Sequence, residues 1–167
     1  MDKIWTGKIK KVYLFDWGDT IMRDFPDEQG AMCNWNKVEM MPNADKMLEI
    51  LSRKADCYLA TNAKDSSKED IKKALQRVDL YKYFKDIFCY KELGVLKPSK
   101  EYFDLVLNRL KEKKENVILI GDNLESDIIG VQNIGIDTIL YDPEDKYQNY
   151  KGKKIANLMM ILQTINI

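Results

Sequence analysis

Short apolar runs alternate with amphipathic stretches along most of the 167-residue chain. The apolar runs have the length of β-strands, and the stretches between them repeat apolar residues at the spacing of one buried helix face. This alternation is typical of repeated βαβ units, so we expect an α/β fold: a Rossmann-like three-layer sandwich with a mainly parallel central sheet. The sheet is expected to contain about five strands, at 12–15, 57–60, 87–90, 117–120 and 138–141.

Helices are predicted between these strands. One has a buried face formed by Ala44, Met47, Leu48 and Leu51. Ser66 and Glu69 have the spacing of a capping box before the next helix, and a further helix begins after Lys97-Pro98-Ser99. The segment from about 154 fits a short strand followed by a helix. Because we find neither a repeat nor a long linker, we expect a single domain over 1–167.

Charge and composition exclude several classes of partner. Lysine plus arginine and aspartate plus glutamate each number 27, so no net charge attracts nucleic acid or an anionic membrane. No apolar run is long enough for a membrane span or a signal peptide. The three cysteines are far apart and form no C-x-x-C pair, which favours a reducing, cytoplasmic setting.

The candidate chemistry rests on carboxylates, because the chain contains no histidine. Polar residues follow the predicted strands or lie near their carboxyl ends: Asp16, Thr61, Lys97, Asp122 and Asp127. Right-handed βαβ crossovers bring those ends to one edge of a sheet, where ligands of open α/β folds bind. We therefore expect these residues to share one pocket.

Clustered carboxylates repel one another unless a cation lies among them. Mg²⁺ prefers oxygen ligands and commonly joins carboxylates to a substrate phosphate. Beside such a metal ion an aspartate can attack phosphorus and form an aspartyl-phosphate. Lys97 and Thr61 supply the positive charge and the hydroxyl donor that a transferring phosphoryl group requires.

In both residues and order, the chain resembles the haloacid dehalogenase (HAD) superfamily of phosphohydrolases. Its first motif, a strand ending D-x-D-x-T, is matched by 12–20 except at one position. A second strand, ending in Ser or Thr, is matched at Thr61. The third motif is a lysine, matched by Lys97, and the fourth is G-D-x-x-x-x-D, matched by 121–127.

The resemblance implies a magnesium site. Asp16 would be both nucleophile and metal ligand, Asp122 the second carboxylate ligand, and Asp127 a direct or water-mediated third. Gly18 would offer its backbone carbonyl oxygen to the same ion.

The resemblance also implies a set of residues for the phosphorylated substrate. Thr61 and Lys97 would bind the transferring phosphoryl group and complete the catalytic set with Asp16, while Asn62 would orient the substrate. The implied activity is phosphohydrolysis through an aspartyl-phosphate.

One position departs from the family pattern. Family phosphatases usually carry a second aspartate two residues after the nucleophile, which protonates the leaving oxygen and then activates water. Gly18 occupies that position and Asp19 follows it. Either Asp19 substitutes from an unusual turn, or the enzyme favours substrates with good leaving groups.

The chain leaves no room for a large cap over the active site. A short insert at about 21–41 is the candidate substrate-contacting flap, with Arg23, Phe25 and Trp35 as its prominent side chains. Uncapped family members act on bulky or macromolecular phosphates or borrow a lid from a neighbouring subunit, so small and large substrates and oligomerisation all stay open.

Two other functional classes compete with a phosphatase. A receiver domain also uses an aspartate, a threonine and a lysine at strand ends, but there the lysine comes last, whereas Lys97 precedes Asp122. A catalytically weak or inactive phosphate-binding regulatory protein is the alternative that Gly18 supports. Dehalogenase and phosphonatase chemistry depend on a cap and are disfavoured.

Overall fold

A computed structural model describes residues 10–165, and its centre is a sheet of six strands. All neighbouring strands pair in parallel, in the order β3-β2-β1-β4-β5-β6. The strands are β1 Val12–Phe15, β2 Asp56–Ala60, β3 Phe84–Phe88, β4 Val117–Gly121, β5 Asp137–Tyr141 and β6 Lys154–Ile155. The predicted parallel α/β sandwich is confirmed, with one short strand more than the five expected.

In the described part of the chain, five α-helices connect or flank the strands. They are α1 Ala44–Leu51, α2 Lys68–Arg77, α3 Tyr90–Leu93, α4 Lys100–Leu110 and α5 Gly130–Ile134. A π-helical segment, Leu124–Ile129, leads directly into α5. Short 3₁₀ helices lie at Met32–Asn34, Tyr81–Tyr83, Lys114–Asn116 and Leu158–Thr164. The predicted strand followed by a helix at the end of the chain is thus β6 and a 3₁₀ helix.

The alternation of side chains along β1 builds the two halves of the core. Tyr13 and Phe15 belong to the buried cluster that includes the apolar faces of α1 and α2. Val12 and Leu14 belong to a second cluster, with apolar residues of α4 and α5. Since successive strand residues point to opposite faces, one apolar strand supplies both layers.

Two local predictions were wrong by a few residues. The third strand ends at Phe88, and Tyr90 begins α3. The capping box consists of Ser67 and Asp70 rather than Ser66 and Glu69: the Asp70 amide donates to Ser67 Oγ at 3.2 Å, and the Ser67 amide donates to Asp70 Oδ2 at 2.9 Å. Ser66, which is 3% exposed, is buried in the preceding loop.

The insert at 21–41 is anchored to the sandwich at its ends and at its middle. Met22 and Met40 form an antiparallel bridge, and the Met41 amide donates to the Ile21 carbonyl at 2.8 Å. At the middle, the Arg77 guanidinium donates to the backbone carbonyls of three insert residues, Cys33, Trp35 and Asn36. Within residues 10–165, no helix combines the length and apolar character needed to cross a bilayer.

Replacing Arg77 by Ala is expected to loosen the middle of the insert, because three backbone carbonyls lose their donor at once. Hydrogen–deuterium exchange of residues 31–36 should accelerate, with a loss of about 1–3 kcal/mol in the free energy of unfolding. Arg53→Ala is the matched control, since Arg53 forms only an exposed pair with Glu49. Equal exchange in both variants would contradict the anchoring role.

Candidate active site

The site is built around the ammonium group of Lys97, which lies between two carboxylates. Lys97 Nζ is 2.9 Å from Asp16 Oδ1 and 2.7 Å from Asp127 Oδ1, and its side chain is 1% exposed. Burial alone would lower the pKa of Lys97, but the two carboxylates raise it above its ordinary value. The lysine is therefore held as a cation inside the protein.

Asn62 fixes the backbone that carries this lysine. Its side-chain amide donates to the Lys97 carbonyl at 2.9 Å and accepts from the Lys97 amide at 2.8 Å. Both ends of the Asn62 amide are thus engaged with the loop between α3 and α4, although the residue also lines the cavity described below. The structure therefore gives Asn62 a role in positioning Lys97, and its expected role in orienting the substrate stays a prediction.

Asp16 and Thr61 extend the strands that precede them. The Asp16 amide donates to the Ile120 carbonyl at 2.9 Å, and the Thr61 amide donates to the Phe88 carbonyl at 3.0 Å. These bonds fix the two residues at the carboxyl edge of the sheet. Thr61 is 3% exposed, and its Oγ1 accepts from the Ala63 amide at 3.1 Å, so the hydroxyl hydrogen stays available to another acceptor.

Asp122 follows β4 and shares a hydroxyl donor with Asp16. Thr20 Oγ1 lies 3.1 Å from Asp122 Oδ1 and 3.5 Å from Asp16 Oδ2. Burial and the charge of Asp16 raise the pKa of Asp122, while the Thr20 hydroxyl acts in the opposite direction. Thr20 ends the first motif, and its fully buried hydroxyl lies within reach of both carboxylates, a role that the sequence pattern alone does not reveal.

Asp127 occupies the innermost position of the site. Its Oδ1 contacts Lys97, and its Oδ2 accepts from the Asn123 amide at 3.1 Å. Burial and then the charge of Asp16 raise the pKa of Asp127, whereas Lys97 and the Asn123 amide lower it. Gly121 makes this placement feasible, because a Cβ at that position would lie 2.3 Å from Asp127 Cγ.

The three aspartates fit a hard divalent cation. One oxygen from each of Asp16, Asp122 and Asp127 lies within 4.8 Å of the other two. Burial and the repulsion by Asp16 raise the pKa of Asp122, and a bound cation would offset the cost of placing these carboxylates together. Oxygen-only donors are those that Mg²⁺ prefers.

A tight turn that contains Gly18 and Asp19 directly follows Asp16. Asp19 has a left-handed backbone with φ 56°, its amide donates to the Met22 carbonyl, and its Oδ1 accepts from the Asp24 amide at 2.9 Å. Asp19 is therefore a turn residue that holds local backbone. Burial, and secondarily the charge of Asp19, raises the pKa of Asp24, a residue that belongs to none of the sequence motifs.

These residues line an open cavity of about 450 Å³ at the carboxyl edge of the sheet. Its lining includes Asp16, Thr61, Lys97 and Asp122, together with Trp35 of the insert. Further lining residues are Trp17, Gly18, Asp19, Asp24, Gly30, Met32, Asn62, Lys64, Ser66, Asn123 and Ser126.

Two of the three side chains singled out in the insert lie away from this cavity. Arg23 pairs with Glu39 at 3.0 Å and lines a smaller neighbouring cavity of about 130 Å³. Phe25 packs edge-on against Trp35, with ring centroids 6.5 Å apart. Of the three, only Trp35 lines the larger cavity.

Comparison with known proteins gives consistent matches. HAD-hydrolase YfnB of Bacillus subtilis is 32% identical over 135 residues, which cover 77% of this chain and 56% of that protein. Ribulose-1,5-bisphosphate 5-phosphatase of Halopiger xanaduensis is 31% identical over 111 residues, covering 66% of this chain and 45% of that protein. The chain thus spans about half the length of these curated relatives.

A solved structure and a family sequence model point to the same family as these relatives. The crystal structure of YfnB bound to magnesium superimposes with a TM-score of 0.77 and 22% identity, covering 96% of this chain and 100% of that chain. That similarity concerns the fold. The sequence model of the family described as haloacid dehalogenase-like hydrolase matches residues 15–141. This range includes Asp16, Thr61, Lys97 and the Asp122–Asp127 motif. The chain therefore belongs to the haloacid dehalogenase-like hydrolases.

Proposed function

We propose that this protein is a Mg²⁺-dependent phosphohydrolase that acts through an aspartyl-phosphate on Asp16. The observation that carries the proposal is the contact of 2.9 Å between Lys97 Nζ and Asp16 Oδ1 in the lining of an open cavity. This contact holds the Asp16 side chain in the cavity lining, where it can attack a bound phosphoryl group. The same cation faces the region where a bound phosphoryl group would carry negative charge.

Three of the lining residues have a defined task in this reaction. A carboxylate oxygen of Asp16 attacks phosphorus, and the bond from phosphorus to the leaving oxygen breaks. Lys97 offsets charge on the phosphoryl oxygens, and the Thr61 hydroxyl donates to one of them. Water then attacks the phospho-aspartate and releases phosphate, which regenerates Asp16.

The metal site in this proposal consists of Asp16, Asp122 and the backbone carbonyl of Gly18, with Asp127 behind them. Both oxygens of Asp127 already have protein partners, which favours its acting through a water molecule. A bound Mg²⁺ would supply positive charge to the phosphoryl oxygens and orient them.

A phosphorylated small molecule is the substrate class that we favour. A cavity of about 450 Å³ falls within the common range for small-molecule sites, roughly 300–1,000 Å³. The relative from Halopiger xanaduensis is named for a sugar bisphosphate.

Cys57 and Cys89 are buried free thiols, which is compatible with a reducing cytoplasmic setting.

A phosphate-binding protein with little turnover is the second candidate, and Gly18 is the observation that favours it. Such a protein would keep Lys97, Thr61 and Asp122 but would lack a carboxyl group at position 18. Multiple turnover distinguishes the two functions, because a binding protein would release no phosphate from a phosphate ester.

Replacing Asp16 by Asn is expected to lower Mg²⁺-dependent hydrolysis of 4-nitrophenyl phosphate on the order of 10⁴-fold or more, since the amide cannot act as the nucleophile. Acid-quenched wild-type enzyme should contain a phosphorylated Asp16 that mass spectrometry locates. Asp104→Asn is the matched control, because Asp104 is exposed on α4 and pairs only with Lys100. Full activity of Asp16→Asn would refute the mechanism.

Replacing Asp122 by Asn is expected to separate metal binding from folding. Without metal, the variant should be at least as stable as the wild type, because the amide is neutral and avoids the burial and the repulsion by Asp16 that raise the pKa of Asp122. Saturating Mg²⁺, at about 100 times its Kd, should stabilise the wild type by about 2.7 kcal/mol and the variant far less. Thermal unfolding with and without Mg²⁺ measures both effects.

Glu125→Gln serves as the control for that titration, since Glu125 is exposed and does not line the cavity. An unchanged Mg²⁺-induced shift of Tm in Asp122→Asn would exclude Asp122 as a ligand.

Replacing Lys97 by Met is expected to cost about 3–5 kcal/mol of unfolding free energy, because Asp16 and Asp127 lose the cation between them. The double variant Lys97→Met/Asp127→Asn should recover part of that stability but none of the activity. Urea denaturation and the phosphate-release assay measure the two quantities separately. Equal stability of the single and double variants would contradict the assigned ion pair.

A further inference from the structure

Gly18 leaves open space beside Asp24. A Cβ built on Gly18 would meet a single heavy atom within 4 Å, Asp24 Cβ at 3.8 Å. Both residues line the cavity that holds Asp16, Lys97 and Asp122. The Asp24 side chain therefore stands next to the volume that a side chain at position 18 would fill.

The turn after Asp16 places Asp24 there. The Trp17 carbonyl accepts the amides of Thr20, Ile21 and Met22, so the chain winds back on itself directly after the nucleophile. Gly18 and Met22 form a bridge, which brings position 24 to the cavity rim.

Asp19 completes this arrangement by accepting the Asp24 amide with Oδ1 at 2.9 Å. An oxygen of its carboxylate is thus occupied in fixing the turn. Asp19 is accordingly a positioning residue. Within residues 10–165, no side-chain or backbone group forms a hydrogen bond with the Asp24 carboxyl group.

We propose that Asp24 is the general acid and base of the hydrolysis, in the place that Gly18 leaves open. The inference rests on the proposed phosphohydrolase function. In the first step Asp16 attacks phosphorus, the bond between phosphorus and the leaving oxygen breaks, and the Asp24 carboxyl gives its proton to that oxygen. In the second step the Asp24 carboxylate takes a proton from the attacking water, the bond from phosphorus to Asp16 breaks, and phosphate leaves.

Two aryl phosphates separate this role from a structural one. Phenyl phosphate has a basic leaving oxygen that needs a proton, whereas 4-nitrophenyl phosphate has an activated one that does not. Asp24→Asn should lower kcat/KM for phenyl phosphate on the order of 10²- to 10⁴-fold and for 4-nitrophenyl phosphate much less. Since the second step also loses its base, 4-nitrophenyl phosphate should give a burst of about one nitrophenolate per site.

A rescue and a control make the experiment decisive. The double variant Gly18→Asp/Asp24→Asn should recover turnover of phenyl phosphate, because a side chain at position 18 has room to reach the same space. Asp27→Asn is the matched control, an exposed acidic residue of the insert that does not line the cavity. It should leave both substrates unaffected.

Three outcomes would overturn the proposal. If Asp24→Asn hydrolyses phenyl phosphate like the wild type, Asp24 is not the acid, while the phosphohydrolase function stands. If the variant loses the same factor on both substrates with no burst, its role is structural. If the wild type turns over neither substrate with Mg²⁺, the proposed function itself fails.

Discussion

The burial of one cation between two carboxylates is the constraint on which the site depends. An ammonium group that is 1% exposed would be strongly destabilising alone, and so would Asp127. The buried Lys97–Asp127 pair can be accommodated only when the two groups lie at hydrogen-bond distance and their other polar atoms also have hydrogen-bond partners. Asn62 therefore holds the Lys97 backbone, the Asn123 amide caps Asp127, and Gly121 leaves the space that the carboxylate occupies. Asp16 completes this network, and its side chain, 15% exposed, is more open to solvent than those of Lys97 and Asp127.

The sequence predicted the sheet, and it predicted that Asp16, Thr61, Lys97 and Asp122 share one pocket, because both depend on local patterns. Strand-length apolar runs define β1 and β4, and parallel pairing then brings Asp16 and Asp122 to the same edge. The predicted bounds of β1 agree with the structure, and those of β4 differ by one residue. The apolar pattern of such segments is strong and leaves few alternative secondary structures. Their prediction therefore needs no knowledge of tertiary contacts.

The details that the sequence did not predict depend on loop conformation. The contacts of Asn62 with the Lys97 backbone are one example, because they form only where the loop before α4 returns to meet the Asn62 side chain. Thr20 and Asp24 acquire their positions from the turn at Asp19, whose left-handed φ no residue pattern in this stretch required. Strand β3 starts three residues earlier than its most apolar part, because pairing with β2 extends it.

Helix α2 joins two parts of the cavity lining. The loop that enters α2 lines the cavity with Thr61 and Lys64, and the far end of the same helix carries Arg77, which donates to the backbone of Trp35 in the insert. Both parts of the lining are therefore attached to one regular element, so a change in the packing of α2 would displace them together. In the proposed function, Asp16, Lys97 and Asp122 would act on the phosphoryl group that all phosphate esters share. Selection among esters would then depend on the other lining residues, such as Lys64 and Trp35.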